Sequence, residues 1–309
     1  MVVQALVLWL ALGVDRLFSD PPNRWHPVAW LGRWIGWWGR PAVWPPAVQR
    51  AAGAVMGGFT AVLFTFPFWF FQTYAPVVFF IIAGPFALKL CLAWRCLEEH
   101  VTAVEEALAA GGGREEVGML VSRETATLTG EEVLSAAYES MTENLTDSII
   151  APVLFFTVFG LGGAACYRAV NTMDAMLGYR DERARLGWFA ARADDVLSFL
   201  PARFAGLCLL VWFAGQGRAG AALRIFRRDR KKRPGFNGGV TMSLIAGGVG
   251  VCLEKKGVYA IGDADRPLAE AGEEIVRTLR GATLIGAVIC TILIMGSALI
   301  AGELVPLLP

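Results

Sequence analysis

The chain has 309 residues, 55% of them hydrophobic and only 18% charged, with a mean hydropathy of +0.51. Soluble domains carry about 25% charge, so this composition speaks against a soluble globule and for a polytopic membrane protein. The net charge of +1 gives no footing for a nucleic-acid partner, and the six cysteines (91, 96, 166, 208, 252 and 290), with no C-x-x-C pair among them, point to buried thiols rather than a zinc site or a disulfide framework.

Residues 1–14 are apolar and end at Asp15-Arg16. They lack a basic leader and a small-residue cleavage site, so they read as a retained helix rather than a signal peptide. Seven of the eleven tryptophans fall within residues 1–44. Tryptophan collects at membrane interfaces, which lays residues 25–44 along the bilayer surface. Residues 51–88 carry no charge, room for two spans of about 20 residues each, joined by a turn near Gln72–Pro76. Residues 97–113, LEEHVTAVEEALAAGGG, form an amphipathic helix stopped by glycines. The uncharged stretch 148–167 and the stretch 196–217 are long enough to cross. If both crossed, five arginines (168, 180, 183, 185 and 192) would lie outside, against the retention of basic residues on the cytoplasmic side. With Pro152, Gly160, Gly162, Gly163 and Pro201 inside them, they read as broken or re-entrant helices packed near the cytoplasm. The Gly-rich run 238–252 is too short to span, and residues 281–302 form a last uncharged span.

The expected fold is all-α: a single integral membrane domain over residues 1–309 with about four firm transmembrane helices. Broken or re-entrant helices would form a cytoplasm-facing active site, and 95–147 and 218–280 would be cytoplasmic elements within the domain. The arginines of 15–50 and the basic run 224–233 set that orientation.

The polar chemistry is concentrated in residues 139–203. In YESMTENLTDSIIAP (138–152), Glu139, Glu143 and Asp147 fall four residues apart with no basic residue among them. On a helix they share one face, at a cost of a few tenths of a kcal/mol per like-charged pair. A cation should offset them, and hard oxygen ligands suit magnesium held jointly with phosphates. A solvated helix end is the competing reading, and spacing alone leaves both open. Asn171 and Asp174 follow within an apolar setting, then Gly178 and a charged turn. Arg192, Asp194, Asp195 and Arg203 alternate in sign across an apolar helix. Arg203 is either paired with Asp194 or Asp195 or part of a functional site. The glycines of RPGFNGGVTMS (233–243) could bring backbone N–H groups to an anion, or could simply form a turn. His26 stands beside the interfacial segment. There is no Walker loop, G-x-S-x-G elbow or H-E-x-x-H helix.

Taken together, DPPNRWHPVAWLGR, SRET, YESMTENLTDSIIAP, YRAVNTMDAMLGYRDER and ARADDVLSFLPARF resemble, in order and spacing, the CbiB/CobD family of cobalamin biosynthesis. The resemblance runs from about residue 10 to residue 265. It implies a membrane-bound adenosylcobinamide-phosphate synthase, which joins aminopropanol phosphate (or aminopropanol) to the propionate carboxyl of adenosylcobyric acid using ATP and magnesium. It implies magnesium on Glu139, Glu143 and Asp147, and a catalytic group of Asn171, Asp174, Arg192, Asp195 and Arg203. Ligand contacts would come from His26, Asn144, Asp194, Asn237 and Gly238. It places the chain in the inner membrane, with the corrinoid, the amine and the bilayer as partners, and leaves room for other corrinoid-pathway membrane enzymes or a second copy of the chain. The chain departs from the family pattern at Ser198, where the pattern has Asn, at Ala184, and in the block 234–239. Those departures keep in view the related AmpE-like membrane proteins tied to signalling, while intramembrane carboxylates and broken helices are also the signature of a transporter.

Overall fold

Apolar stretches interrupted by glycine and proline give long helices with local breaks. The computed structural model describes residues 1–300. Helices α1 (Val2–Leu17), α2 (Pro27–Trp38), α3 (Gln49–Tyr74), α4 (Val77–Lys89), α5 (Trp94–Ala109), α6 (Arg114–Gly118) and α7 (Gly130–Asn144) come first. A π-helical segment, Leu145–Ile150, leads into α8 (Ala151–Leu177), followed by α9 (Trp188–Leu197), α10 (Phe199–Gly215), α11 (Ala219–Asp229), α12 (Gly238–Val249) and α13 (Gly272–Ile300). The strands β1 (Leu253–Lys255) and β2 (Tyr259–Ile261) form an antiparallel hairpin with Leu253 opposite Ile261. The all-α membrane fold expected from composition is therefore what forms.

Among the described residues, five helical segments are long and apolar enough to cross a membrane: Gln49–Tyr74, Val77–Ala109, Gly130–Leu177, Trp188–Gly215 and Gly272–Ile300. The chain is a multi-pass membrane protein. The retained helix expected over residues 1–14 forms as α1, which at roughly 24 Å by helical rise is short of the roughly 30 Å hydrocarbon layer. Residues 301 and 302 of the expected last span lie outside the described residues. The two awkward segments are long enough to cross, and both carry breaks. One is kinked at Gly160 (φ 70°, ψ −158°); the other changes helix at Ser198.

By contacts the chain divides into two units. The first comprises, among the described residues, Met1–Ala93, Ala151–Ser198 and residues 287–300. Here α8 packs on α2, α3, α4 and α9, and α1 packs on α4. Ile35, Trp38, Ala169, Met173, Leu177 and Leu186 centre its core. The kink has a local cause. The left-handed φ at Gly160 frees the next amide, and the Leu161 N–H donates to Gln72 Oε1 of α3. A Cβ at Gly160 would stand 2.2 Å from that same oxygen. Gly160→Ala is therefore expected to cost about 1–3 kcal/mol, read as a lowered unfolding midpoint in detergent. An unchanged midpoint would show that the kink is not needed.

The second unit comprises Trp94–Ile150 and Phe199–Gly286. The glycines following α5 take left-handed conformations (Gly111 φ 89°, Gly113 φ 92°) and stop it as the sequence predicts. A capping box starts α7: Glu132 N–H donates to Thr129 Oγ1 (3.3 Å) and Thr129 N–H to Glu132 Oε2 (2.8 Å). The run 238–252, too short to span, instead supplies α12, buried from Gly239 to Val249. Its glycines allow close approach: a Cβ on Gly248 would stand 2.2 Å from Phe213. Arg280 of α13 reaches Glu98 of α5 with two hydrogen bonds (3.0 and 2.6 Å), and the Trp94 indole adds a third at 2.7 Å.

Candidate functional site

The acidic strip lies where α7 passes into the π segment, and the arginines that offset it come from distant sequence. Glu139, its side chain only 8% exposed, has both oxygens in use. Oε1 accepts from Ser135 (2.8 Å) and Arg123 Nη2 (3.3 Å); Oε2 accepts from Tyr259 (2.7 Å). Burial first, then the charge and hydrogen bond of Glu139, push the Tyr259 phenol pKa up. Ser135 also receives the Glu254 N–H (2.6 Å), so one serine and one glutamate dock the β-hairpin onto α7. Glu143 is ion-paired with Arg233. Burial works against the Arg233 charge, but Glu143, with Tyr259 and Asp147 adding smaller effects, outweighs it and raises the pKa.

The π segment widens the helix just where the strip ends, a distortion frequent at functional sites. Asn144 braces it: Nδ2 donates to the Ser140 carbonyl (2.9 Å), and Oδ1 accepts from Ser148 Oγ (2.8 Å). Arg203 donates to Asn237 Oδ1 at 2.6 Å. Gly238 lies against the Glu143–Arg233 pair. The second unit thus brings together Glu139, Glu143, Asn144, Asp147, Arg203, Asn237 and Gly238. Buried Asp229 secures the basic turn that carries Arg233. Burial alone would raise its pKa, yet Arg228 (2.8 Å), Lys232 (2.8 Å) and the Gly262 N–H (2.9 Å) hold the carboxyl well below the usual range.

The first unit holds a separate polar chain. The Tyr167 hydroxyl and Ser198 Oγ are 2.9 Å apart, Ser198 donates to Asp194 Oδ2 at 3.4 Å, and Asn171 donates to Asp194 Oδ1 at 3.3 Å. Ser198, the departure from the family pattern, is thus a working link here. Asp174 is close enough for its charge to act on Asp194. Gly178 is needed beside it, since a Cβ there would meet Asp174 Oδ1 at 2.0 Å. Arg192 pairs with Asp195 at 3.2 Å across one helical turn. In the charged turn beyond Gly178, Asp181 is lowered to about 2 by its hydrogen bonds to Arg183.

His26 serves as the N-cap of α2, Nδ1 accepting the Val28 N–H at 3.2 Å. That role needs the neutral ring. Burial lowers its pKa, with Asp20 acting in the opposite sense. Because the folded pKa lies below the ordinary value near 6.5, the unfolded chain takes up the proton first. The stability it contributes is full above about pH 6.5 and falls as pH drops through that value towards the folded pKa. His26→Asn, which keeps a capping side chain but does not titrate, is expected to flatten the acid side of the unfolding profile. An unaltered profile would contradict this.

The sequence missed Arg123, Arg233, Tyr259 and Tyr167. Arg123 lies in the SRET block and Arg233 ends the basic run, so both stood in notable strings without marking their partners. Among the described residues no group of three or more His, Cys, Asp or Glu side chains is placed to hold a metal.

Fold and clusters together define a class: a multi-pass, almost wholly helical membrane protein that answers buried carboxylates with arginines. Comparison with known proteins gives the family. The family model described as CobD/Cbib protein matches residues 8–291. The chain is 39% identical over 271 residues to the cobalamin biosynthesis protein CobD of Dehalococcoides mccartyi, covering 85% of this chain and 88% of that one. It is 38% identical over 268 residues to the probable CobD of Methanothermobacter thermautotrophicus, covering 83% and 86%. It is 37% identical over 297 residues to the probable CobD of Thermococcus kodakarensis, covering 93% and 95%. No solved structure matches. The chain belongs to the CobD/CbiB family.

Proposed function

We propose that this protein acts in cobalamin biosynthesis as an ATP-dependent amide ligase. It would join an aminopropanol group, as its O-phosphate or as the free amino alcohol, to the propionate carboxyl of adenosylcobyric acid. The observation that carries this reading is family membership across residues 8–291. The pairing of carboxylates with permanently charged arginines around α7 supports it, because phosphoryl transfer asks a protein chiefly for positioning and charge neutralisation.

An ionised carboxylate resists attack by an amine. In the proposed reaction the propionate oxygen bonds to the γ-phosphorus and ADP leaves. The amine nitrogen then bonds to the acyl carbon, and inorganic phosphate leaves with the former carboxylate oxygen. Arg203 and Arg233 answer phosphoryl charge bidentately. Within the first unit, Arg192 is a candidate for charge neutralisation and Asp174 or Asp195 for accepting a proton. Asn171 and Asn144 would position polar groups, directly or by bracing the helix.

Magnesium is the expected cofactor, supplying charge neutralisation on nucleotide phosphates. Its fit is partial. Glu139 has both oxygens committed to protein partners. Glu143 and Asp147 suit a cation held by one or two carboxylates and otherwise by phosphates. The arginines of 15–50 and 224–233 would keep this chemistry on the cytoplasmic side of the inner membrane, with the corrinoid, the amine and the bilayer as partners.

The test is incubation of the purified protein with adenosylcobyric acid, ATP, magnesium and aminopropanol phosphate. The expected result is a corrinoid amide and one ADP per amide. No amide from a folded preparation would refute the reading.

A further inference from the structure

Arg203, Arg230 and Arg233 border the turn that opens α12, and among the described residues only Arg233 has a carboxylate partner. Arg203 hydrogen-bonds neutral oxygens: Nη1 to the Phe199 carbonyl (3.1 Å) and Asn237 Oδ1 (2.6 Å), Nη2 to the Phe236 carbonyl (3.1 Å). Its guanidinium also lies 3.7 Å from the Phe199 ring centre. Arg230 lies over the Phe226 ring at 4.8 Å, close enough to Arg203 for the two charges to act on each other. The Arg230 backbone is pressed against the same turn: a Cβ on Gly239 would stand 2.1 Å from its carbonyl oxygen. Among the described residues, neither Arg203 nor Arg230 forms an ion pair. Arg233 alone has a carboxylate, Glu143, and a Cβ on Gly238 would stand 2.7 Å from Arg233 Cζ and 2.9 Å from Glu143 Oε1. Bare backbone thus lies directly beside this pair.

Like charges held together without a counter-charge cost free energy unless an anion joins them. Arg203 is fixed by three hydrogen bonds and is not free to swing away. The missing counter-charge is compact and of high valence, and guanidinium forks match phosphate geometry. We propose that Arg203, Arg230 and Arg233 form the seat of a phosphoryl group, and that filling it draws Arg233 off Glu143. The identity of the phosphoryl carrier, amino-alcohol phosphate or ATP, rests on the function proposed above; the seat and the exchange do not. In the unfilled seat Arg233 spares Glu143 and Asp147 their mutual repulsion. In the filled seat the phosphoryl group takes the arginine, and Glu143 is released to face the cationic part of the substrates.

This exchange makes two substitutions act in opposite directions. Full-length protein in nanodiscs of zwitterionic lipid would be titrated calorimetrically with inorganic phosphate, ethanolamine phosphate and a non-hydrolysable ATP analogue. Arg233→Met and Arg230→Gln are each expected to weaken inorganic phosphate binding about tenfold or more, as loss of a charge-assisted contact does. Glu143→Gln removes the competitor for Arg233 and is expected to tighten binding about threefold or more. A merely structural ion pair would give weaker binding, or none, in both Arg233→Met and Glu143→Gln. Should Arg233→Met fail to fold, Arg230→Gln alters an exposed side chain and carries the arginine arm.

Whichever organic ligand follows the same pattern names the carrier. Unchanged or weaker binding in Glu143→Gln, or full binding in Arg230→Gln, overturns the proposal. So does loss of phosphate binding by the unaltered protein when anionic lipid is added, which would assign the seat to a lipid headgroup. Ligation without this binding pattern refutes the seat alone; the pattern without ligation refutes the ligase alone.

Discussion

Replacing Asp147 with alanine, or Asp174 in a separate variant, is expected to abolish ligation while the protein still folds and inserts. Asp147 stands in the π segment, half-buried, with its charge acting on Arg233. It is the strip carboxylate proposed, with Glu143, to face a phosphate-bound cation. Asp174 stands against Gly178 and its charge acts on Asp194. Groups that neutralise charge in a transition state contribute about 10²–10³ in kcat, and loss of that order is expected in each variant. The comparison to make is turnover against the unfolding midpoint. Near-normal turnover in either variant would remove that residue from the machinery.

The second large effect is on stability. Lys89 ends α4 with its side chain 5% exposed, ion-paired with Asp20 and 3.6 Å from Asp15 of α1, itself 1% exposed. Methionine at position 89 would keep the stem and delete the buried charge that faces Asp15 and Asp20. Breaking a buried pair from one side costs about 3–5 kcal/mol. Lys89→Met should therefore lower the unfolding midpoint sharply. Adding Asp15→Asn to it should recover part of the loss, since the coupling belongs to the pair. Equal midpoints for Lys89→Met and the unaltered protein would show that the triad does not hold the first unit together.

Much of this was legible in the sequence, and what was not shares one cause. Uncharged stretches gave the long helices, glycines gave the end of α5, and Gly160 and Ser198 mark breaks inside the two segments where re-entrant or broken helices were expected. The strip residues Glu139, Glu143 and Asp147 were visible by spacing. Their partners were not: Arg123 lies 16 residues from Glu139, and Arg233 lies 90 from Glu143. Periodicity reports which residues share a face, not what a distant turn brings to it. The magnesium expected to offset all three carboxylates was inferred without those arginines, and Glu139 proves to be held by protein. Lys89 closes an apolar run and looks like an ordinary span end; its burial depends on Asp15 and Asp20, some seventy residues earlier. His26 drew notice as a lone histidine, whereas a cap depends on where α2 begins. The π segment had no signal at all, because Leu-Thr-Asp-Ser-Ile-Ile fits an α-helix equally well.

The most direct test follows an oxygen atom. Adenosylcobyric acid labelled with ¹⁸O in the propionate carboxyl would be turned over with ATP, magnesium and aminopropanol phosphate, and the released inorganic phosphate analysed by mass. Activation of the carboxylate by phosphoryl transfer predicts one labelled oxygen in phosphate for each amide formed, together with one ADP. Amide formed with unlabelled phosphate, amide formed without ATP, or no amide from folded protein would contradict the account.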